Sequence, residues 1–188
     1  MRGKSHLSLG HYLIQNYMEN LPLRYQKAFL VGCIEPDRNP MPYFKGSLRS
    51  QWMRGHNYNN ASHFMDRLAK RLENKPKLHL FDYYSMGKLI HYTTDAFTYA
   101  HNDLFPTDLD QHRVYEVALQ NHFLNFMDAQ PPVECCNLPA LPTYSVMDTI
   151  RYQHRDYIRR PCSIHTDTAF AFSVCCSVVS LLLLKRIF

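Results

Sequence analysis

The sequence predicts an all-α protein, and three observations support this fold class. Apolar residues recur at helical spacing in several segments, as Phe64, Leu68 and Leu72 do. Alternation of the kind that marks strands is weak along the chain, and only 6 of 188 residues are glycine, which argues against a turn-rich all-β fold. A hydrophobic content of 46% is enough for one domain with a sizeable core. We therefore predict a single-domain helix bundle over residues 1–188.

Helical spacing and helix-breaking residues divide the chain into elements. Ser5 is a candidate N-cap for a first helix that ends near 20–22, and a second helix is expected from Leu23 to Cys33. The stretch 35–42 contains three prolines and is predicted to be a loop. Four further helices are predicted, at 60–73, 82–101, 109–127 and 146–160. A connection with four prolines is expected at 130–142.

The apolar stretch 168–184 has no charged residue over its 17 positions, which is the lower limit for a membrane span. A buried helix that closes the bundle explains the same pattern, and we favour it. The N-terminal segment MRGKSHLSLGHYL lacks the apolar region and cleavage site of a secretory signal. We expect a cytoplasmic protein, with membrane association as the alternative.

Charge and cysteine content restrict the function only loosely. The net charge of +5 suits an anionic substrate, a phospholipid surface or a nucleic acid without choosing among them. A basic segment near the C-terminus, made by Arg151, Arg155, Arg159 and Arg160, could face lipid phosphates or solvent. None of the six cysteines forms a CxxC pair, so a cysteine-only zinc site is not expected and the thiols are interpreted as reduced.

Two histidine–carboxylate pairs are the most informative feature of the sequence. His91 and Asp95 stand four residues apart, as do His112 and Glu116. Residues at this spacing share one face of a helix, about 6 Å apart. Imidazoles and carboxylates from neighbouring helices are a common way to build a metal site in a bundle, and this ligand type suits zinc. One such pair arises easily by chance as a surface hydrogen bond, whereas two pairs, with His101, His56 and Asp37 in polar contexts, favour a metal site.

In chain order, the motifs SHL, PDR, GHNYNN, HYxxDAFTxAHN and HxxYE resemble the zinc-dependent phospholipase C family. This is the family of the bacterial phosphatidylcholine hydrolases and the alpha-toxin catalytic domain. The likeness runs from about His6 to Glu116, more than half of the chain. It implies an all-α bundle of the type shared by these phospholipases and a related family of single-strand nucleases. It also implies two to three zinc ions and a phospholipid or other phosphodiester as substrate.

The resemblance carries over a ligand set position by position. It implies a first zinc site of Asp37, His56, His91 and Asp95, and a second of His101, His112 and Glu116. A third site would use His6 with a bridging Asp95; His11 is a rival that lacks the SHL context. In the secreted relatives the amino group and carbonyl of an N-terminal Trp complete this third site. Here Met1-Arg-Gly-Lys-Ser precedes His6, so we expect the third zinc to be weakly held, completed differently or absent.

Asp37 is the candidate general base, because a carboxylate beside the metals can orient and deprotonate the attacking water. Arg38 follows Asp37 where choline-preferring relatives have an aromatic residue, and Met53 replaces a second aromatic. Arg38 would repel choline and could bind phosphate through two hydrogen bonds, or could pair with Asp37 or Glu35. Trp52 and Tyr58 remain candidate substrate-binding aromatics. We therefore expect phosphatidylcholine to be a poorer substrate than a lipid whose head group has no fixed positive charge.

Two other functions remain open from the sequence. A single-strand nuclease or nucleotidase could use the same zinc cluster and would bind nucleic acid through aromatic platforms. A non-catalytic zinc-binding protein could have kept the ligands for stability, and a peripheral membrane contact would fit the apolar tail. No specific protein partner is inferred.

Overall fold

The computed structural model describes residues 1–38, 58–102, 109–132 and 145–184. It contains seven α-helices in these ranges and no strand, which confirms the all-α prediction. The helices are α1 (Gly3–Tyr17), α2 (Leu23–Arg38), α3 (Tyr58–Glu73), α4 (Leu80–Ala96), α5 (Leu109–Asp128), α6 (Val146–Tyr157) and α7 (Ile164–Leu184). A short 3₁₀ turn, Tyr99–His101, follows α4.

Helix α4 lies in the middle of the bundle, in contact with α1, α2, α3 and α7. Its first turn is fixed by a capping box, in which the Asp82 carboxylate accepts a hydrogen bond from the main-chain N–H of His79 at 3.0 Å. Arg71 and Lys75 pair with the same buried carboxylate. The residues of the last turn and a half, 91–96, are all buried, so any polar group there needs a partner inside the protein.

Helices α2 and α4 cross at two glycines. A Cβ on Gly32 would overlap the carbonyl oxygen of Tyr84, and a Cβ on Gly87 would overlap that of Phe29. The main chains therefore touch, which only glycine at both positions permits. Tyr25 and Tyr83 stack on the N-terminal side of this crossing, with ring centroids 5.0 Å apart.

Helix α7 packs on α1, α4, α5 and α6, as the closing-helix interpretation expects. Phe172, Val174, Cys175, Cys176 and Val178 are completely or almost completely buried along it. By length and composition alone, Ile164–Leu183 could also cross a membrane, and it is the one described helix that could. Slightly more than half of its most apolar window, 56%, is buried in the protein.

Three predicted boundaries are wrong. Helix α1 begins at Gly3 with Arg2 at its N-cap, so Ser5 lies inside the helix and does not cap it. Helix α2 continues through Pro36 to Arg38, so 35–38 is not loop. Proline's fixed φ is compatible with a helix, and inside one it costs a hydrogen bond to the carbonyl four residues earlier and a ring clash with that carbonyl.

The third wrong boundary is the end of α4. The helix stops at Ala96 and does not run to His101. The Asn102 side-chain amide donates hydrogen bonds to the carbonyls of Ala96 (3.1 Å) and Thr98 (2.8 Å), and the Thr98 hydroxyl donates to the Asp95 carbonyl (2.9 Å). These side chains satisfy the carbonyls that a continuing helix would have used, so the chain turns there.

Candidate metal centre

His6 on α1 meets His91 and Asp95 on α4 to form the first group of candidate ligands. The two imidazole rings stack with their centroids 4.0 Å apart. Asp95 lies between them: its Oδ1 is 3.3 Å from His6 Nε2, and its Oδ2 is 3.3 Å from His91 Nε2. All three side chains are about 1% exposed or less, so this group is enclosed by protein.

The orientation of His91 is set by α2. Its Nδ1 lies 2.9 Å from the carbonyl oxygen of Cys33, and because a carbonyl can only accept, Nδ1 carries the proton. The other nitrogen, Nε2, faces Asp95 and Asp37 Oδ1, which is 3.6 Å away, and it would carry the lone pair when the ring binds a metal ion. A hydrogen bond from the distal nitrogen to a backbone carbonyl is the usual means of fixing a metal-binding histidine.

The second group joins the 3₁₀ turn to α5. His101 Nε2 lies 3.3 Å from Glu116 Oε1, and His112 Nε2 lies 3.6 Å from the same oxygen. His112 and Glu116 share one face of α5, as their spacing predicts. All three side chains are partly exposed, so solvent reaches this group more easily than the first.

The main chain of Met1 joins the two groups, which the sequence did not reveal. Its amino nitrogen is 2.6 Å from Asp95 Oδ1, 2.8 Å from His101 Nε2 and 3.5 Å from Glu116 Oε1. Its carbonyl oxygen is 3.1 Å from His6 Nε2. In this chain, Met1 therefore brings an amino group and a carbonyl to the place where the resemblance puts those of an N-terminal Trp.

The electrostatics of the cluster favour an anionic Asp95 and neutral imidazoles at His6 and His101. Burial opposes ionisation of Asp95, but the Met1 amino group and the surrounding histidines hold the pKa of its carboxyl well below the ordinary value. Burial, with the neighbouring His91, lowers the pKa of His6 to about 4. Burial and the amino group also lower the pKa of His101. Neutral imidazole and ionised carboxylate are the protonation states that bind metal ions.

The spacing of the donor atoms fits zinc. In a tetrahedral site with metal–ligand bonds of about 2.05 Å, neighbouring donor atoms lie about 3.3 Å apart. The five His–carboxylate separations given above lie between 3.3 and 3.6 Å, longer than a typical hydrogen bond. The Met1 amino contacts are shorter and have ion-pair length. The His–carboxylate sets therefore match the chemistry and the size of a zinc site.

The other predicted site residues fall in different environments. His56, Trp52 and Met53 lie outside the described residues. Asp37 and Arg38 are exposed in the last turn of α2. Tyr58 is half-buried and stacks on His154, with ring centroids 3.6 Å apart, so one face of its ring is already covered.

The histidines that match no motif lie away from the ligand groups. His11, His63, His79 and His165 are exposed, and His122 is half-buried in edge contact with His165. His154 is buried, and its Nε2 lies 2.9 Å from the Asn102 side-chain oxygen. It therefore supports the turn that carries His101, a role that no sequence motif reveals.

The fold and the two ligand groups define the class of the protein: an all-helical bundle with a largely buried histidine–carboxylate cluster that can hold metal ions. The family model described as zinc dependent phospholipase C matches residues 5–171, which include every side chain of the two ligand groups. The chain belongs to the zinc-dependent phospholipase C family. No curated protein and no solved structure matched the chain.

Proposed function

We propose that this protein hydrolyses the phosphodiester bond on the head-group side of a phospholipid, at zinc ions held by the clustered ligands. The observation that carries the proposal is the convergence of the two ligand groups on the Asp95 carboxylate, within the segment that matches the family. His101 Nε2 is 3.9 Å from Asp95 Oδ1, so both groups border one space. Family membership supports phospholipid hydrolysis; the roles of individual residues are our proposal.

Zinc would be held in three places. Asp37, His91 and Asp95, together with His56, are proposed to hold one ion, and His101, His112 and Glu116 a second. His6, Asp95, and the amino group and carbonyl of Met1 are proposed to hold a third. The placement of the Met1 amino nitrogen beside Asp95 and of its carbonyl oxygen beside His6 supports this third assignment, and the ammonium would release a proton on binding the ion.

Bound zinc would supply Lewis acidity for the phosphoryl oxygens and a lowered pKa for the attacking water. Asp37 is the proposed general base. It is the most exposed carboxylate of the cluster, with 28% of its side chain accessible, and it lies beside His91 at the outer edge of the first group. Asp95, by contrast, is enclosed and surrounded by positive or polar neighbours, which suits a ligand and not a proton carrier.

Arg38 is proposed to select the head group. Glu35, one of its two candidate partners, is instead paired with Lys88 at 2.8 Å. Among the described residues no carboxylate lies within ion-pair distance of Arg38, which is exposed next to Asp37. A guanidinium at this position attracts phosphate and repels a quaternary ammonium. We therefore propose a preference for lipids without a fixed positive charge in the head group.

The test is hydrolysis of a chromogenic phosphodiester, with and without a chelator, by the full chain and by His91→Ala and Glu116→Ala. Both variants should lose activity at least about 100-fold, because each removes a proposed ligand. His165→Ala, an exposed histidine far from the cluster in sequence, is the matched control and should retain full activity. Retained activity in both ligand variants, or insensitivity to chelator, would show that the assignment is wrong.

The substrate class is then decided by comparing phospholipid vesicles with single-stranded DNA. We expect release of the phosphorylated head group from vesicles and no cleavage of DNA. Cleavage of DNA alone would instead establish the nuclease alternative. Zinc content near zero in protein purified without chelator would contradict both the phospholipase function and the nuclease alternative.

A further inference from the structure

Asp167, in the first turn of α7, accepts hydrogen bonds from three other parts of the chain. Its Oδ2 accepts from the main-chain N–H of Tyr99 and from the Tyr115 hydroxyl, both at 2.8 Å. Its Oδ1 accepts from the Tyr157 hydroxyl at 2.8 Å. The side chain is completely buried, so this carboxylate holds the 3₁₀ turn, α5, α6 and α7 together inside the protein.

Two of the three donors stand next to proposed zinc ligands. Tyr99 is two residues before His101 on the 3₁₀ turn, and Tyr115 directly precedes Glu116 on α5. Residues 103–108 lie between the turn and α5 in the sequence, and the hydrogen bonds of Asp167 link the two segments directly in space. Tyr99 and Tyr115 also meet edge to face, with centroids 5.8 Å apart. The same carboxylate oxygen therefore joins the two segments that supply His101, His112 and Glu116.

Joining helices through a buried carboxylate costs free energy of desolvation. Such a contact is favoured over an apolar one where the direction and length of its hydrogen bonds are needed. An apolar residue of similar size would avoid the cost of removing a charge from water. Burial raises the pKa of Asp167, and the three hydrogen bonds oppose that rise. A carboxylate oxygen can only accept, so the Tyr115 and Tyr157 hydroxyls are the donors in both bonds. Charge-assisted hydrogen bonds are shorter and more directional than apolar contacts, and they hold a fixed separation.

We propose that Asp167 is a positioning residue for the second ligand group: by tying Tyr99 and Tyr115 to one oxygen, it sets the distance from His101 to His112 and Glu116 and hence the zinc affinity of this group. The inference rests on the proposed function, since it requires that these three residues bind zinc. It adds a residue from α7 to a site whose proposed ligands all lie at or before position 116.

A purely structural role for Asp167 predicts a different pattern of effects. If the carboxylate only held the bundle together, losing any of its hydrogen bonds would lower stability and leave zinc affinity alone. Tyr157 provides the matched control, because its hydroxyl bonds the other oxygen and α6 carries none of the proposed ligands. Tyr115→Phe and Tyr157→Phe each remove one 2.8 Å hydrogen bond from the same carboxylate.

The experiment is a calorimetric zinc titration of the metal-stripped full chain. The titration step that His112→Ala removes is assigned to the second group, and the step that His91→Ala removes is assigned to the first. Asp167→Asn and Tyr115→Phe are each expected to reduce the zinc affinity of the His112-dependent step about tenfold. This is the lower end of the losses that follow when a contact supporting a metal ligand is removed. The His91-dependent step should stay unchanged. Tyr157→Phe should lower the melting temperature as much as Tyr115→Phe does and leave both zinc steps within about twofold.

The outcomes separate this inference from the proposed function. If the wild-type chain shows no zinc step, the proposed function fails and this inference fails with it. If wild-type steps are present and Tyr115→Phe and Asp167→Asn lower only the melting temperature, the proposed function stands and the positioning role is overturned. Equal weakening of both zinc steps, or equal weakening by Tyr157→Phe, would also overturn it. Should Asp167→Asn fail to fold, Tyr115→Phe and Tyr157→Phe alone decide.

Discussion

Gly32 on α2 and Gly87 on α4 face each other with their main chains in direct contact. Cys33 directly follows Gly32, and its carbonyl accepts a hydrogen bond from Nδ1 of His91, one turn after Gly87 on α4. The spacing that the glycines allow is therefore the spacing that brings this carbonyl within 2.9 Å of the imidazole. The glycine crossing and the orientation of a proposed zinc ligand are two consequences of the same helix contact.

Replacing Gly87 with Ala should destabilise the protein and weaken the first ligand group. The new methyl group would overlap the Phe29 carbonyl, so the helices must separate, at a cost of about 3 kcal/mol or more. Urea denaturation measures this loss. Zinc titration should show a weaker His91-dependent step.

Gly10→Ala is the control for this prediction. Its added Cβ would meet mainly the end of the flexible Leu30 side chain, and alanine is the better helix former by about 1 kcal/mol. We expect a change within about 1 kcal/mol and normal zinc binding. Equal destabilisation by the two variants would contradict the special role of the α2–α4 crossing.

Extending the chain before Met1 should remove the third zinc ion. Adding a short Gly-Ser segment converts the amino group into an amide, which has no lone pair for a metal and cannot pair with Asp95 as an ammonium. The ratio of zinc to protein, measured by atomic emission, should fall by one ion per chain, while the His91 and His112 steps of a titration persist. The same segment added after the C-terminal residue is the control, and an unchanged ratio in the N-terminal variant would argue against a role for Met1.

His154 should make the metal-free protein less stable at low pH. Burial lowers the pKa of His154 to about 4, although a contact with Ala96 opposes this, and an unfolded histidine titrates near 6.5. The unfolded state therefore binds the proton first, so this contribution to stability is complete above pH 6.5 and is lost as the pH falls towards 4. The loss between pH 7 and pH 5 is about 2 kcal/mol.

The measurement is the free energy of unfolding in chelator at pH 7, 6 and 5, compared between wild type and His154→Gln. The stability difference between the two proteins should shift in favour of the variant by about 2 kcal/mol at the lowest pH. His165→Gln, at an exposed position, should track the wild type. Parallel curves for wild type and His154→Gln would refute the prediction.

Arg38→Gln should relax the head-group preference. With wild type, phosphatidylglycerol vesicles should be hydrolysed faster than phosphatidylcholine vesicles, and the substitution should reduce that ratio about fivefold, corresponding to ~1 kcal/mol for one solvent-exposed charge. Initial rates on the two vesicle types give the ratio. Arg159→Gln, at another exposed position, should leave the ratio unchanged, and a strong wild-type preference for phosphatidylcholine would be inconsistent with a selective role for Arg38.

The sequence was sufficient to predict the fold class and to pick the residues that the structure brings together. His91 and Asp95, and His112 and Glu116, share helix faces because the four-residue spacing is a local property of any helix. The place where α4 ends was not predictable in this way. It depends on Asn102, whose side chain caps the helix while His154, from α6, lies within hydrogen-bond distance of its oxygen.

The residues that support the proposed ligands could not be predicted either, because their contacts join segments that are distant in the sequence. Cys33 contributes only a carbonyl, which every residue has, and Met1 contributes only main-chain atoms. Asp167 looks in the sequence like the polar start of an apolar helix, yet its partners lie on three other segments. Contacts between segments distant in sequence follow from packing, and no local pattern records them.

The position of the Asp95 carboxylate would also affect the order in which the proposed zinc ions bind and dissociate. Its Oδ1 faces His6 while its Oδ2 faces His91, so ions bound on the two sides would share a single anion. An ion bound on one side would hold the carboxylate in place for a second ion and would also neutralise part of its negative charge. Both effects would couple the affinities for the two ions. Such coupling is reciprocal: the factor by which the first ion changes the affinity for the second equals the factor by which the second changes that for the first. If zinc binds on both sides of Asp95 as proposed, a chelator that removes one ion would also change the affinity of the other site, by that same factor.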